Sequence, residues 1–178
     1  MLIVRATKKL LDHTNPPRAV DGDHDTTLLG PWYATALFWR PRLALLVNER
    51  TPLPVLLPLA PARSLPARVP AEIATVLDAH QVPSTFTADE LQHMQDCRFT
   101  TTANRSVVGI MNEFTKLSEI YTDDSARPDL VPLSLRLATT PCSPLYATNV
   151  SPDRELAALV GSTAARSRKR VDGMQHGE

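Results

Sequence analysis

Apolar residues fall into short runs separated by prolines and polar breaks, and the spacing inside each run predicts its element. Residues 1–7 are aliphatic and stop at Lys8-Lys9, which suits an opening strand. Residues 8–27 carry Pro16-Pro17 and the acidic stretch Asp21-Gly-Asp-His-Asp25, and read as a short helical turn followed by a loop. In residues 32–39, Trp32, Ala36 and Trp39 share one helical stripe with Tyr33 and Leu37 beside it, so a short buried helix is expected. Residues 43–47 and 54–59 are apolar runs of strand length around a polar turn. They predict an antiparallel hairpin, with the prolines confining the second strand to an edge or its hydrogen bonds to one side.

Val69, Ile73, Val76, Leu77 and His80 recur at near-helical spacing, which predicts a helix over 65–81 with Pro70 in its first turn. Thr87-Ala-Asp-Glu90 directly before Leu91 is a capping-box pattern and predicts a second short helix running to about residue 95. Residues 97–102 combine β-branched and aromatic side chains, as a third strand would. Asn104 is a favourable N-cap for the most regular helix of the chain, in which Val107, Met111, Phe114, Leu117 and Tyr121 rise along one face. Asp129 and Ser151-Pro152 start two more helices, the first closed by residues 140–144. With few strands and no repeating strand–helix unit, the pattern predicts an α+β fold, a small antiparallel sheet packed against several helices, with the 105–121 helix covering the hairpin. One globular domain over residues 1–165 and a basic, flexible tail over 166–178 complete the expected organisation.

Composition narrows the class without changing it. The chain has 178 residues, 43% hydrophobic and 21% charged, enough to bury a core without a metal or a disulfide. No apolar run approaches the roughly 18 residues of a spanning helix, and no signal-peptide pattern opens the chain, so a cytoplasmic protein without a membrane partner is expected. Cys97 and Cys142 are then expected to be free, buried thiols. Nineteen basic residues balance nineteen acidic ones, so the whole molecule has no net field with which to gather a polyanion. Arg166, Arg168, Lys169 and Arg170 concentrate positive charge in the tail. Taking away the four basic and two acidic residues of 166–178 leaves a body with 15 basic and 17 acidic residues. Nucleic acid is therefore expected only through weak contacts of that tail.

The chemistry visible in the sequence is sparse. It contains no phosphate loop, no Gly-x-Gly-x-x-Gly and no Gly-x-Ser-x-Gly. His93 and Cys97 lack further ligands nearby, and Asp21, Asp23 and Asp25 lack the rest of a calcium loop, so neither a metal nor a cofactor is expected. Two candidate sites remain. At the start of the long helix, Asn104, Arg105 and Ser106 gather backbone amides, a guanidinium and a hydroxyl, which suits an anion. Asn112 follows two turns along the same strip with Glu113 beside it, and Gly109 in a helix interior points to a close approach of another backbone. The same positions also read as a cap, a packing contact and a solvated face. The second site is the aromatic segment 32–40, where Trp32 and Arg40 suit stacking on a base or clamping a peptide, with core packing as the alternative. These residues suit a non-catalytic binding or regulatory domain for a protein or a small anionic ligand. The competing reading is an enzyme acting on a phosphate-containing or nucleic-acid substrate, with Arg105 holding the anion and Glu113 as base.

The blocks Arg5-Ala-Thr-Lys-Lys-Leu10, Leu29-Gly-Pro-Trp-Tyr-Ala34, Leu46-Val-Asn-Glu49, Leu56-Leu-Pro-Leu-Ala-Pro61, Asn104-Arg-Ser-Val-Val-Gly-Ile-Met-Asn-Glu-Phe114 and Pro141-Cys-Ser-Pro-Leu145 occur in order. Over roughly residues 1–160 the chain resembles a family of small bacterial proteins catalogued only as a domain of unknown function. The resemblance implies a bacterial cytoplasmic protein whose shared body stops before the basic tail. It brings no activity, cofactor or catalytic residue.

Overall fold

Strand β1 (Leu2–Ala6) is built for the middle of a sheet: Leu2, Val4 and Ala6 are buried on one face, while Ile3 and Arg5 point to the other. The computed structural model describes residues 1–102, 104–122, 128–142 and 150–175, without the side chains of residue 164 and of residues 166–175. After β1 the chain forms α1 (Lys8–Thr14), then β2 (Trp32–Leu37), β3 (Leu43–Asn48) and β4 (Pro54–Pro58). Helices α2 (Leu65–Ala79) and α3 (Ser84–His93) lead to β5 (Cys97–Thr101), which is followed by α4 (Arg105–Tyr121), α5 (Leu130–Ala138) and α6 (Pro152–Gln175). The five strands form one sheet in the order β4-β3-β2-β1-β5.

The α+β class stands, and the sheet is mixed rather than wholly antiparallel. β3 runs antiparallel to both β2 and β4; the β3–β4 hairpin is the pair the apolar pattern predicts, and β4 with its prolines is an edge strand. β1 runs parallel to both its neighbours, β2 and β5, because a helical crossover precedes each of them. The outer edge of β5 is not left open. The Phe99 amide donates to the Pro17 carbonyl and the Ala19 amide to the Phe99 carbonyl, both at 2.9 Å, so residues 17–19 occupy the edge.

Each face of the sheet carries its own core. On the first face, Leu2, Val4, Trp32, Ala34, Ala36, Leu46, Leu57 and Phe99 meet Leu10 and Leu11 of α1, Val69, Ile73 and Leu77 of α2, and Leu156 and Val160 of α6. On the second, Tyr33, Leu37, Leu43, Leu45, Val47 and Leu56 meet Val107, Ile110, Met111 and Phe114 of α4 and Leu133 and Leu137 of α5. Burying a side chain of this size contributes roughly 1.5–3 kcal/mol relative to leaving it in water. The second core spans β2, β3 and β4 only. α4 thus covers the hairpin, as its amphipathic pattern requires, and the same face of β1 and β5 lies outside this core, with Ile3 buried there and Arg5 partly exposed.

Three local expectations are corrected. Residues 32–37 are a strand, not a helix. Trp32, Ala34 and Ala36 alternate with Tyr33, Thr35 and Leu37, and in a strand buried on both faces all six become core, which erases the polar stripe a helix would need. The small alanines imitate helical spacing by leaving the tryptophans as the visible landmarks. α2 starts at Leu65, so Pro66 occupies its first turn and Pro70 lies inside the helix. α3 starts at Ser84, so Thr87 and Glu90 are interior positions rather than a cap. Glu90 is 1% exposed and accepts the Leu28 and Leu29 amides at 2.5 and 3.2 Å, because the 25–31 loop brings two unpaired donors against α3. Cys97 and Cys142 are free and buried, and burial pushes both thiols up to about 12. Among the described residues, no helix is long and apolar enough to cross a membrane.

Candidate functional site

The uncovered half of the second face carries charge. Pairing places Ile3 beside Arg98 and Arg5 beside Thr100 and Tyr33, so Arg5, Arg98, Thr100 and Tyr33 share the side on which α4 sits. Arg98 is tied to Asp96 at 3.1 Å and Asp23 at 3.9 Å. Above Arg5 opens a groove of about 780 Å³, lined by Arg5, Tyr33, Glu49, Thr100, Thr101, Asn104, Arg105 and Ser106.

Topology explains why a groove forms there. The connection leaving β1 passes to α1 on the first face, and the connection leaving β5 passes to α4 on the second. Adjacent parallel strands whose outgoing chains part to opposite faces leave a crevice at their carboxyl ends. Arg5, Thr100 and Thr101 belong to those ends.

A chain of hydrogen bonds fixes one wall. Arg5 Nη1 donates to the Tyr33 hydroxyl at 3.2 Å, and that hydroxyl donates to Glu49 Oε1 at 3.1 Å. Asn104 Nδ2 donates to the same Glu49 oxygen at 2.9 Å, joining the turn after β3 to the start of α4. Glu49 Oε2 stands 3.7 Å from Arg5 Nη1. The Tyr33 hydroxyl, followed by the Tyr33 and Glu49 charges, raises the Arg5 pKa further despite partial burial. Burial pushes the Tyr33 phenol above its ordinary value, with the Arg5 hydrogen bond opposing and the Glu49 bond reinforcing, so the phenol stays a donor at neutral pH.

Asn104 also changes what the helix start can offer. Its Oδ1 accepts the Ser106 amide at 3.0 Å and the Val107 amide at 3.4 Å, and its carbonyl accepts the Val108 amide. The Ser106 and Val107 amides, part of the unpaired cluster expected from the sequence, are therefore already taken by Asn104. What remains at the rim is side-chain chemistry. Arg105 is exposed and has no partner among the described residues, and Thr100, Thr101 and Ser106 line the same groove.

Of the residues singled out in the sequence, the groove brings together Asn104, Arg105 and Ser106. Asn112 is exposed two turns farther along α4 and does not line it. Glu113 faces elsewhere, close enough to Cys142 for its charge to add to the effect of burial on that thiol. Trp32 is fully buried in the first core, one residue out of phase with Tyr33. Arg40 sits in the β2–β3 turn, away from the groove. Gly109 does not mark a close approach, because a Cβ there would meet nothing within 4 Å. The Ser143–Leu145 part of the Pro-Cys-Ser-Pro-Leu block, and the side chains of Arg166, Arg168, Lys169 and Arg170, lie outside the described residues.

Arg5, Glu49, Thr100 and Thr101 escaped the sequence reading as site residues, and Tyr33 entered it only within the aromatic segment 32–40. One signal was available: Arg5 interrupts an otherwise aliphatic strand, and a charge in that position must find either solvent or a partner.

A family model matches residues 3–155. The chain belongs to DUF6933, a domain of unknown function. Both sides of the groove and all five strands, except Leu2 at the start of β1, fall inside the matched region, which ends in the first turn of α6. No curated protein and no solved structure matches the chain. Among the described residues, no three His, Cys, Asp or Glu side chains gather as a metal would need.

Proposed function

We propose that this DUF6933 protein is a non-catalytic binding domain that takes a small anionic ligand in the groove over β1 and β5. One observation carries the reading. Arg105 stands unpaired among the described residues in a groove that Thr100, Thr101 and Ser106 also line, at a topological crevice with a wall already fixed by the Arg5–Tyr33–Glu49–Asn104 hydrogen bonds. A phosphate or carboxylate entering there meets a guanidinium and hydroxyl donors without displacing an existing ion pair. The pinned wall lowers the ordering cost of binding. An enzyme at this position loses the base assigned to it, since Glu113 lies on the Cys142 side of α4, and Glu49 Oε1 is already held by two donors. Two buried free thiols suit a reducing compartment, and we place the protein in a bacterial cytoplasm, with residues 1–165 as the working body and 166–178 as an appendage.

The test is calorimetric titration with inorganic phosphate, a nucleoside monophosphate and citrate, repeated on Arg105→Ala. At least one anion is expected to bind, raising the melting temperature as its concentration passes the dissociation constant. Binding is expected to fall at least tenfold in the variant. If none of the three binds, or if binding survives Arg105→Ala unchanged, the reading fails.

A further inference from the structure

A second surface lies at the end of the sheet where β1 finishes, β2 turns into β3, and β4 ends. Parallel pairing of β1 with β2 and the Leu37–Leu43 and Leu43–Pro58 pairs bring three segments to that end: α1, residues 38–42 and residues 59–64. Their ionisable residues are Lys8, Lys9, Asp12, His13, Arg40, Arg42 and Arg63, so Asp12 is the sole acid among them. Asp12 is used by Lys8 at 2.7 Å. The 3-10 turn Ala62–Ser64, which carries Arg63, packs against α1. Asp21, Asp23, Asp25 and Asp96 belong to the opposite end, where the 20–30 loop and the start of β5 lie.

An aromatic ring sits in the middle of the basic end. Phe38 is 53% exposed. His13 meets its edge with ring centroids 5.5 Å apart, and Arg42 Cζ lies 5.9 Å from its centroid. Arg42 Nη1 and His13 Nε2 are 3.4 Å apart. The ring is thus oriented by two neighbours without being covered. Arg40, two residues farther on, is exposed and unpaired among the described residues, and Lys9 stands one turn before His13 on the exposed side of α1.

We propose that this end of the molecule binds single-stranded nucleic acid, with a base stacked on Phe38 and backbone phosphates held by Arg40, Arg42, Lys9 and Arg63. Charge complementarity selects a polyanion, and the ring selects among polyanions. Nucleobases stack on an aromatic platform whatever their identity, whereas the carboxylates of an acidic peptide gain nothing from the negative face of the ring. This surface shares no lining residue with the groove.

The experiment is fluorescence anisotropy with labelled 12-nucleotide oligo(dT) and oligo(U), using the full-length protein. Four phosphate contacts predict a slope of log K against log salt of about −3. Phe38→Ala is expected to weaken binding roughly tenfold or more, the loss of one stacked base, at an unchanged melting temperature. The double variant Arg40→Ala/Arg42→Ala is expected to flatten the salt slope by about 1.4. A full-length variant with Arg166, Arg168, Lys169 and Arg170 changed to serine is expected to keep the Phe38 dependence. Three results would each overturn the proposal: no binding at low salt, binding lost with the serine variant but indifferent to Phe38→Ala, or poly-glutamate competing equally for wild type and Phe38→Ala. The last would assign the surface to an acidic protein partner.

Discussion

One face of one sheet is used in two ways. Over β2, β3 and β4 it is sealed by α4 and α5, and the side chains it offers them are Tyr33, Leu37, Leu43, Leu45, Val47 and Leu56. Over β1 and β5 it stays open, and its side chains include Arg5, Arg98, Thr100 and the hydroxyl end of Tyr33. Tyr33 spans the boundary, with its ring in the core and its oxygen in the groove. The difference follows from where α4 lies, which is set by its apolar stripe of Val107, Ile110, Met111 and Phe114 and by the Asn104–Glu49 hydrogen bond at its start. Stability should therefore concentrate in the sealed half and binding in the open half, and substitutions can separate the two.

The largest effect is expected in the sealed half. Phe114 is fully buried between α4 and the hairpin, and truncation to alanine removes its transfer energy and leaves a cavity. Phe114→Ala is expected to cost about 3–5 kcal/mol, read as a lower denaturation midpoint. A loss under 1 kcal/mol would mean that α4 is not seated on β2 and β3 as described, and the contrast between halves would collapse.

A similar contrast separates two carboxylates. Glu49 in the groove and Glu90 under the 25–31 loop each accept from two donors, but Glu49 is partly exposed and Glu90 is sealed. Burial raises the Glu90 carboxyl from 4.5 to about 7, against the Leu28 and Leu29 hydrogen bonds that lower it. The folded protein then holds this proton more tightly than the unfolded chain. Its contribution to stability is fully present below about pH 4.5 and is lost as the pH rises through about 7, on the order of 3 kcal/mol across that window. Melting temperatures between pH 5 and pH 8 should therefore decline in the wild type. The decline should be much shallower in Glu90→Gln, which cannot ionise. An equal slope in both proteins would remove the distinction between the two carboxylates.

The legibility of these features from sequence follows the same division. The hairpin, the 105–121 helix and the cap at Asn104 are readable because each rests on local signals: two apolar runs around a polar turn, a 3.6-residue stripe and a side chain that bonds its own backbone. β2 is not, because a strand buried on both faces shows no alternation, and Ala34 and Ala36 hide what little there is. Glu90 misleads for a related reason. Thr87-Ala-Asp-Glu90 has the residues of a cap, but the donors that claim the carboxylate come from a loop some sixty residues earlier. The groove is the least legible feature. Arg5, Tyr33, Glu49 and Thr100 come from four places in the chain, and only strand order brings them together.

A smaller effect tests whether α4's outer surface belongs to the fold at all. Gly109 lies in the middle of α4, and an added Cβ would meet nothing within 4 Å. Gly109→Ala should therefore raise stability by about 0.5–1 kcal/mol, by removing the glycine's entropic cost in a helix. Thermal unfolding of the isolated protein checks this. A loss instead of a gain would show that another element packs on this surface, and the open region would have to be redrawn along α4.

The smallest effect on stability is the most informative about the open half. Arg105 is exposed and has no partner among the described residues, so Arg105→Ala should move the unfolding free energy by no more than about 0.5 kcal/mol. Its nearest neighbours do not depend on it. Asn104 already satisfies the Ser106 and Val107 amides, and Glu49 is held by Tyr33 and Asn104. If the groove takes an anion, the same substitution should remove the strongest charge-assisted contact available to it, and binding should fall at least tenfold. Chemical denaturation and calorimetric titration on the same preparation give both numbers. A stability loss of several kcal/mol would make Arg105 part of a buried ion pair and move it from the open half to the sealed one. Unchanged stability with unchanged binding would put the anion outside the groove, and the open half would lose its place as the binding surface.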